Sequence, residues 1–128
     1  MEILLDTNFI ITCVKSKIDF EKIANNIIDK KITWLIPQQI LNELGAIKDK
    51  KGIKKEDRQS AILSFEILQT LKNHKIIELG KNRNIDIAIV NYILDKPIAL
   101  ATLDKELKQR VPNNKILTIR GKNYLELI

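Results

Sequence analysis

Short apolar runs and longer stretches of helical period alternate along this chain from one end to the other. The first run, Ile3-Leu4-Leu5, is apolar at consecutive positions and stops at Asp6. Such a run predicts a strand buried on both faces, as in a parallel sheet. Residues 33–36, closed by Pro37, and residues 75–79, 98–102 and 115–119 predict four more strands. Between them, apolar residues recur every three or four positions over 9–14, 19–29, 38–47, 57–73 and 85–95, with a shorter segment at 104–110. Asp19 is placed to cap the second of these helices. In the 57–73 helix the spacing turns Ala61, Ile62, Phe65, Leu68 and Leu71 inward. Trp34 and Cys13 are expected in the core, and His74 on the surface at a helix end. Residues 124–127 read as a tail.

Strands alternating with helices predict an α/β fold, with a mainly parallel five-stranded sheet and helices on both faces. No repeat, low-complexity stretch or linker interrupts the pattern, so residues 1–128 are expected to form a single domain. With 45% hydrophobic but only 5% aromatic residues, the core must be built mostly from Ile and Leu. One cysteine excludes an internal disulfide. A single histidine excludes Ser-His-Asp and Cys-His catalysis alike if His74 is the surface residue expected, and no Cys/His cluster could hold zinc. No apolar run nears the ~20 residues that a membrane span needs. The acidic N-terminus does not read as a signal peptide, so a soluble, cytoplasmic protein is expected.

Four acids break the local patterns. Asp6 ends the first strand, where ligands bind in open α/β sheets. Glu43 lies three residues after Ile40 and four before Ile47, on or beside the buried face of its helix. Asp86 opens the most apolar helix, and Asp104 follows the fourth strand. The last two also suit helix N-termini, through capping and the macrodipole. Gathered in one cleft, four carboxylates would repel one another and take up protons unless cations were present. A set of oxygen ligands alone selects a hard ion, Mg²⁺ or Mn²⁺. The formal net charge is +6, and a basic protein that concentrates acids at one point suits a polyanionic substrate.

The ordered motifs resemble those of the PIN-domain nucleases. They are Leu4-Leu5-Asp6-Thr7-Asn8, Pro37-Gln38-Gln39-Ile40-Leu41-Asn42-Glu43-Leu44, Asn84-Ile85-Asp86-Ile87-Ala88-Ile89-Val90 and Ala101-Thr102-Leu103-Asp104-Lys105-Glu106-Leu107. Order and spacing hold over essentially the whole chain, and the last third is similar to the PIN nucleases of small-subunit ribosomal RNA processing and their short archaeal relatives. The resemblance implies a three-layer α/β/α sandwich and a metal-dependent endoribonuclease that hydrolyses RNA with Mg²⁺ or Mn²⁺. It implies an acidic metal site of Asp6, Glu43, Asp86 and Asp104, with Asn8 and Thr102 orienting the acids or metal-bound waters. Glu106 matches a less constant outer acid. One departure is that Asp86 stands alone before Ile87, where family members often carry two adjacent acids.

Two other roles fit the same motifs: a toxin ribonuclease paired with an antitoxin, and a non-catalytic RNA-binding PIN domain. Partners expected on this basis are RNA, an antitoxin or a ribosome-assembly factor, and a second copy of the chain. Lys105, Lys108, Arg110, Arg120 and Lys122 lie near the fourth acid in sequence and are candidate phosphate contacts. Lys48, Lys50, Lys51, Lys54, Lys55 and Arg58 form a second basic stretch, which reads as a solvated loop sooner than as a contact to the RNA backbone. A phospho-acceptor receiver domain would need an aspartate ending its third strand, where this chain has Leu79-Gly80. A haloacid-dehalogenase-type phosphatase would need Asp-x-Asp, and Asn8 holds the second position.

Overall fold

The structure, a computed structural model, describes residues 1–128. The elements run β1 (Glu2–Leu5), α1 (Thr7–Lys15), α2 (Phe20–Ile27), β2 (Thr33–Pro37), α3 (Gln38–Asp49), α4 (Lys55–Thr70), β3 (His74–Ile77), α5 (Ile85–Ile93), β4 (Ile98–Ala101), α6 (Lys105–Arg110), β5 (Ile116–Arg120) and β6 (Tyr124–Leu127). One sheet holds all six strands in the order β3-β2-β1-β4-β5-β6. All pairings are parallel except β5 with β6.

The sheet therefore has six strands where the sequence pattern predicts five. The expected tail is β6, which turns back at Gly121 (φ +65°) and pairs antiparallel with β5, Leu117 opposite Leu127. Four residues are too few for a legible period, and the one local signal for the hairpin is Gly121 in the three-residue connection.

Period-2 alternation splits the core in two. Ile3 and Leu5, Trp34 and Ile36, and Ala99 and Ala101 face α1 to α4, in a cluster of 22 buried residues. Leu4, Leu35, Leu100 and Ile116 face α5 and α6, in a cluster of 11. The result is the expected three-layer α/β/α sandwich. Phe9 and Trp34 each meet Phe20 edge-to-face, at 5.8 and 5.4 Å between centroids, and this pins α1 and α2 to β2.

α4 turns Ala61 and Leu68 inward as predicted, with Leu71 buried just past its end and Phe65 packed on the core, but its buried face is not the predicted one throughout. Ile62 is exposed, while Ser60 and Ser64 are buried and Ser64 Oγ donates to the Ser60 carbonyl at 2.7 Å. Small residues let α4 approach the helices beneath it, and the internal hydrogen bond satisfies the buried hydroxyl. His74 is half-buried at the start of β3, its ring Nδ1 2.6 Å from the Leu71 carbonyl, rather than free on the surface.

β1 is central. The chain adds β2 and β3 on one side of it and then crosses to β4 on the other. A crevice forms at the carboxyl ends of β1 and β4, where the winding reverses.

Candidate active site

Asp6 is the first residue beyond β1 and the N-cap of α1. It is buried, and both its oxygens are engaged: Oδ1 accepts from the Thr7 amide at 2.9 Å and Oδ2 from Thr102 Oγ1 at 2.7 Å. The Asp6 amide donates to the Ala101 carbonyl at 3.0 Å, tying the ends of β1 and β4 together. Burial pushes the Asp6 carboxyl above its ordinary value. The bonds from Thr102 and Thr7 oppose that shift, and the charges of Asp86 and Asp104 add to it.

Thr102 is fully buried and acts on two acids. Its hydroxyl donates to Asp6 and accepts from the Asp104 amide at 3.1 Å. Asp104 caps α6, with Oδ1 accepting from the amides of Glu106 and Leu107 at 2.9 and 3.3 Å. Capping thus engages Oδ1 and leaves Oδ2 over. Asp86 lies in the first turn of α5, whose cap is Asn84. Glu43 is exposed rather than turned to the core, and its Oε2 accepts from Thr7 Oγ1 at 3.0 Å. A residue three or four positions from two core residues can fall on either side of the helix boundary, and here it falls at the cleft. Asn8 Oδ1 accepts from the Leu103 amide at 3.3 Å, fastening the β4–α6 turn to α1.

Asp6, Glu43, Asp86 and Asp104, from four different parts of the chain, line one open cleft of about 430 Å³ with Thr7, Asn8, Ile11, Thr12 and Ile85. Thr7 sits inside the first motif, and Ile11 and Thr12 follow Thr7 and Asn8 by one helical turn. The i+4 spacing could have singled them out. Glu106 is exposed outside this lining, as are Lys105, Arg110, Arg120 and Lys122. Lys108 is half-buried, with its Nζ 3.3 Å from Thr118 Oγ1, and Arg120 lies 4.0 Å from Glu126. Cys13 is buried, which pushes its thiol up to about 12 and removes it as a nucleophile.

The donor set is all oxygen and the cleft is roomy, which suits a hard cation. No three of the acids stand close enough together to enclose an ion directly. The residues fit an ion that keeps several of its own waters, as Mg²⁺ does.

The chain is 31% identical to Ribonuclease VapC4 of Methanocaldococcus jannaschii over 98% of its own length and 95% of the relative's. The fold is similar to that of the PIN domain endonuclease Utp24, with a TM-score of 0.78 and 24% identity over 98% of this chain and 90% of the other. It is also similar to VapBC2 from Rickettsia felis, a structure bound to a DNA fragment from the promoter. There the TM-score is 0.62 and the identity 16%, over 92% of this chain and 98% of the other. The profile of a family described as PIN like domain matches residues 3–122, and the chain belongs to that family.

Proposed function

We propose that this protein is an endoribonuclease that hydrolyses RNA phosphodiester bonds with bound Mg²⁺ or Mn²⁺. One observation carries the reading. Four acids from separate elements share one cleft at the switch point of the sheet, and the most buried of them, Asp6, is raised by the charges of two others as well as by burial. The family and the ribonuclease relative over nearly the full length support it.

Asp6, Glu43, Asp86 and Asp104 would hold the ion, directly or through its waters. When bound, such an ion supplies a water of lowered pKa and offsets charge that builds on the phosphate. The chain's own part is orientation. Thr102 fixes Asp6 and Asp104 at once, Thr7 holds Glu43, and Asn8 locks the turn that carries Asp104. Lys105, Lys108, Arg110, Arg120 and Lys122 remain outlying candidates for RNA contact, and Glu106 for an outer acid. A toxin ribonuclease with an antitoxin partner also fits the 31%-identical ribonuclease relative. A role in ribosomal RNA processing rests on fold likeness to Utp24. No helix is long and apolar enough to cross a membrane, and we place the activity in the cytoplasm.

The test compares the parent chain with Asp6→Asn on single-stranded RNA in Mn²⁺ or Mg²⁺. Cleavage by the parent should vanish with EDTA and fall by roughly a thousandfold in the variant, equivalent to about 4 kcal/mol of transition-state stabilisation. Equal cleavage by both would make the site assignment wrong. No cleavage by either, with RNA still bound, would point to a binding domain.

A further inference from the structure

We propose that RNA leaves the acidic cleft along a furrow between α1 and α3, and that Lys50 and Lys54 at its far end bind the phosphates flanking the cleaved one. The proposal rests on the reading of the cleft as an RNA-cleaving site.

Two cavities meet on one residue. Ile11 lines the acidic cleft and also a second open cavity of about 560 Å³, lined by Lys15, Ile47, Lys50, Gly52, Ile53, Lys54 and Asp57. Helical spacing explains the continuity. On α1, Thr7 lines the first cavity, Ile11 both and Lys15 the second, each four residues on and therefore on one face. On α3, Glu43 lines the first and Ile47 the second, again four apart. The hydrogen bond from Thr7 Oγ1 to Glu43 Oε2 joins the two helices at the acidic end. At the other end Lys15 Nζ meets Asp57 Oδ1 at 2.8 Å, and Arg58 Nη2 donates to the Lys50 carbonyl at 2.7 Å. Gly52, at φ +81°, makes the turn between Lys50 and Lys54.

Charge changes sign along this path. The cleft holds four acids, and the far cavity holds three lysines against Asp57 alone. Lys15 is paired with Asp57, while Lys50 and Lys54 have no carboxylate within 4.0 Å. At about 1.5 Å of rise per residue, Thr7 and Lys15 lie roughly 12 Å apart along α1, a couple of nucleotides of extended strand. Ile11 and Ile47 between them offer apolar surface for sugars and bases rather than charge. None of Lys105, Lys108, Arg110, Arg120 and Lys122 lines either cavity.

The test uses the full chain carrying Asp6→Asn, to silence cleavage, and a fluorescent single-stranded RNA. Adding Lys50→Ala and Lys54→Ala should weaken binding on the order of tenfold. The slope of log K against log salt should fall by about 1.4, roughly 0.7 for each phosphate contact removed. In the active chain the same pair should raise KM far more than it lowers kcat. Lys30→Ala with Lys115→Ala, at the opposite end of the sheet, serves as the control and should leave binding and slope alone. Unchanged affinity and slope in the Lys50/Lys54 variant, with the parent still cutting RNA, would overturn the furrow and spare the nuclease reading. So would finding the whole loss in Lys105→Ala with Lys122→Ala, or finding that Lys50 and Lys54 serve only to bind a glutamate-rich peptide. A parent that neither binds nor cuts RNA would remove the nuclease reading, and this inference with it.

Discussion

The two ends of the sheet each bury a polar side chain beside an open cavity, and they use it in opposite ways. At the amino ends of the strands, Asn114 is buried and its Nδ2 faces the carbonyls of Ile93, Lys96 and Ile98 at 3.0, 3.1 and 2.8 Å. The amide adds a further donor to the carbonyls where α5 ends and β4 begins, two of which, Ile93 and Lys96, already accept from the amides of Lys96 and Ile98. The cavity beside it, about 350 Å³, is lined by Lys30, Lys96 and Lys115 and holds no acid. At the carboxyl ends, Asp6 is buried with like charges nearby, and burial and repulsion both push its proton affinity up. One end spends a buried polar group on satisfying the fold. The other keeps a charge where the fold is worse off for it, and this is the ground on which chemistry is proposed there.

Replacing each buried group sharpens this contrast. Asn114→Ala removes the side chain's bonds to all three carbonyls and should cost about 3 kcal/mol, read as a fall in melting temperature of roughly 10 °C. Cleavage per folded molecule should hardly change. A variant as stable as the parent would mean that water replaces the amide. Asp6→Asn should do the reverse, losing cleavage while melting no lower in metal-free buffer.

Adding Mn²⁺ or Mg²⁺ should stabilise the parent by about 2.7 kcal/mol at a hundred times the dissociation constant. Asp6→Asn should lose most of that gain and Asn114→Ala should keep it. An equal shift in all three would assign the ion elsewhere.

The smallest effect is the pH dependence of the Asp6 penalty. Its carboxyl is raised from the ordinary 3.8, chiefly by burial, so the folded chain holds this proton more tightly than the unfolded one. That contribution is complete below pH 3.8 and is lost as pH rises through the elevated value. In metal-free buffer, the advantage of Asp6→Asn over the parent should therefore grow from pH 3.8 upward and then level off. A flat difference, or one that shrinks with rising pH, would contradict the burial of the charge.

Much of this molecule is legible without coordinates. The apolar run before Asp6, the alternation of strand and helix, the caps at Asp19 and Asp104 and the four acids in order all follow from spacing along the chain. Such features are local, because a period of two or of about 3.6 residues fixes which face a residue takes within its own element. What lies between elements is not fixed in this way. The pairing of β6 with β5, the inward turn of Ser60 and Ser64, the exposure of Glu43 and the junction at Ile11 each depend on how separate elements pack. Sequence determined which acids this protein carries and on which elements they stand. Tertiary structure alone decided that they share a cleft, that Thr102 binds two of them, and that a basic furrow opens beside them. Side chains distant along the chain become neighbours only when the helices settle onto the sheet.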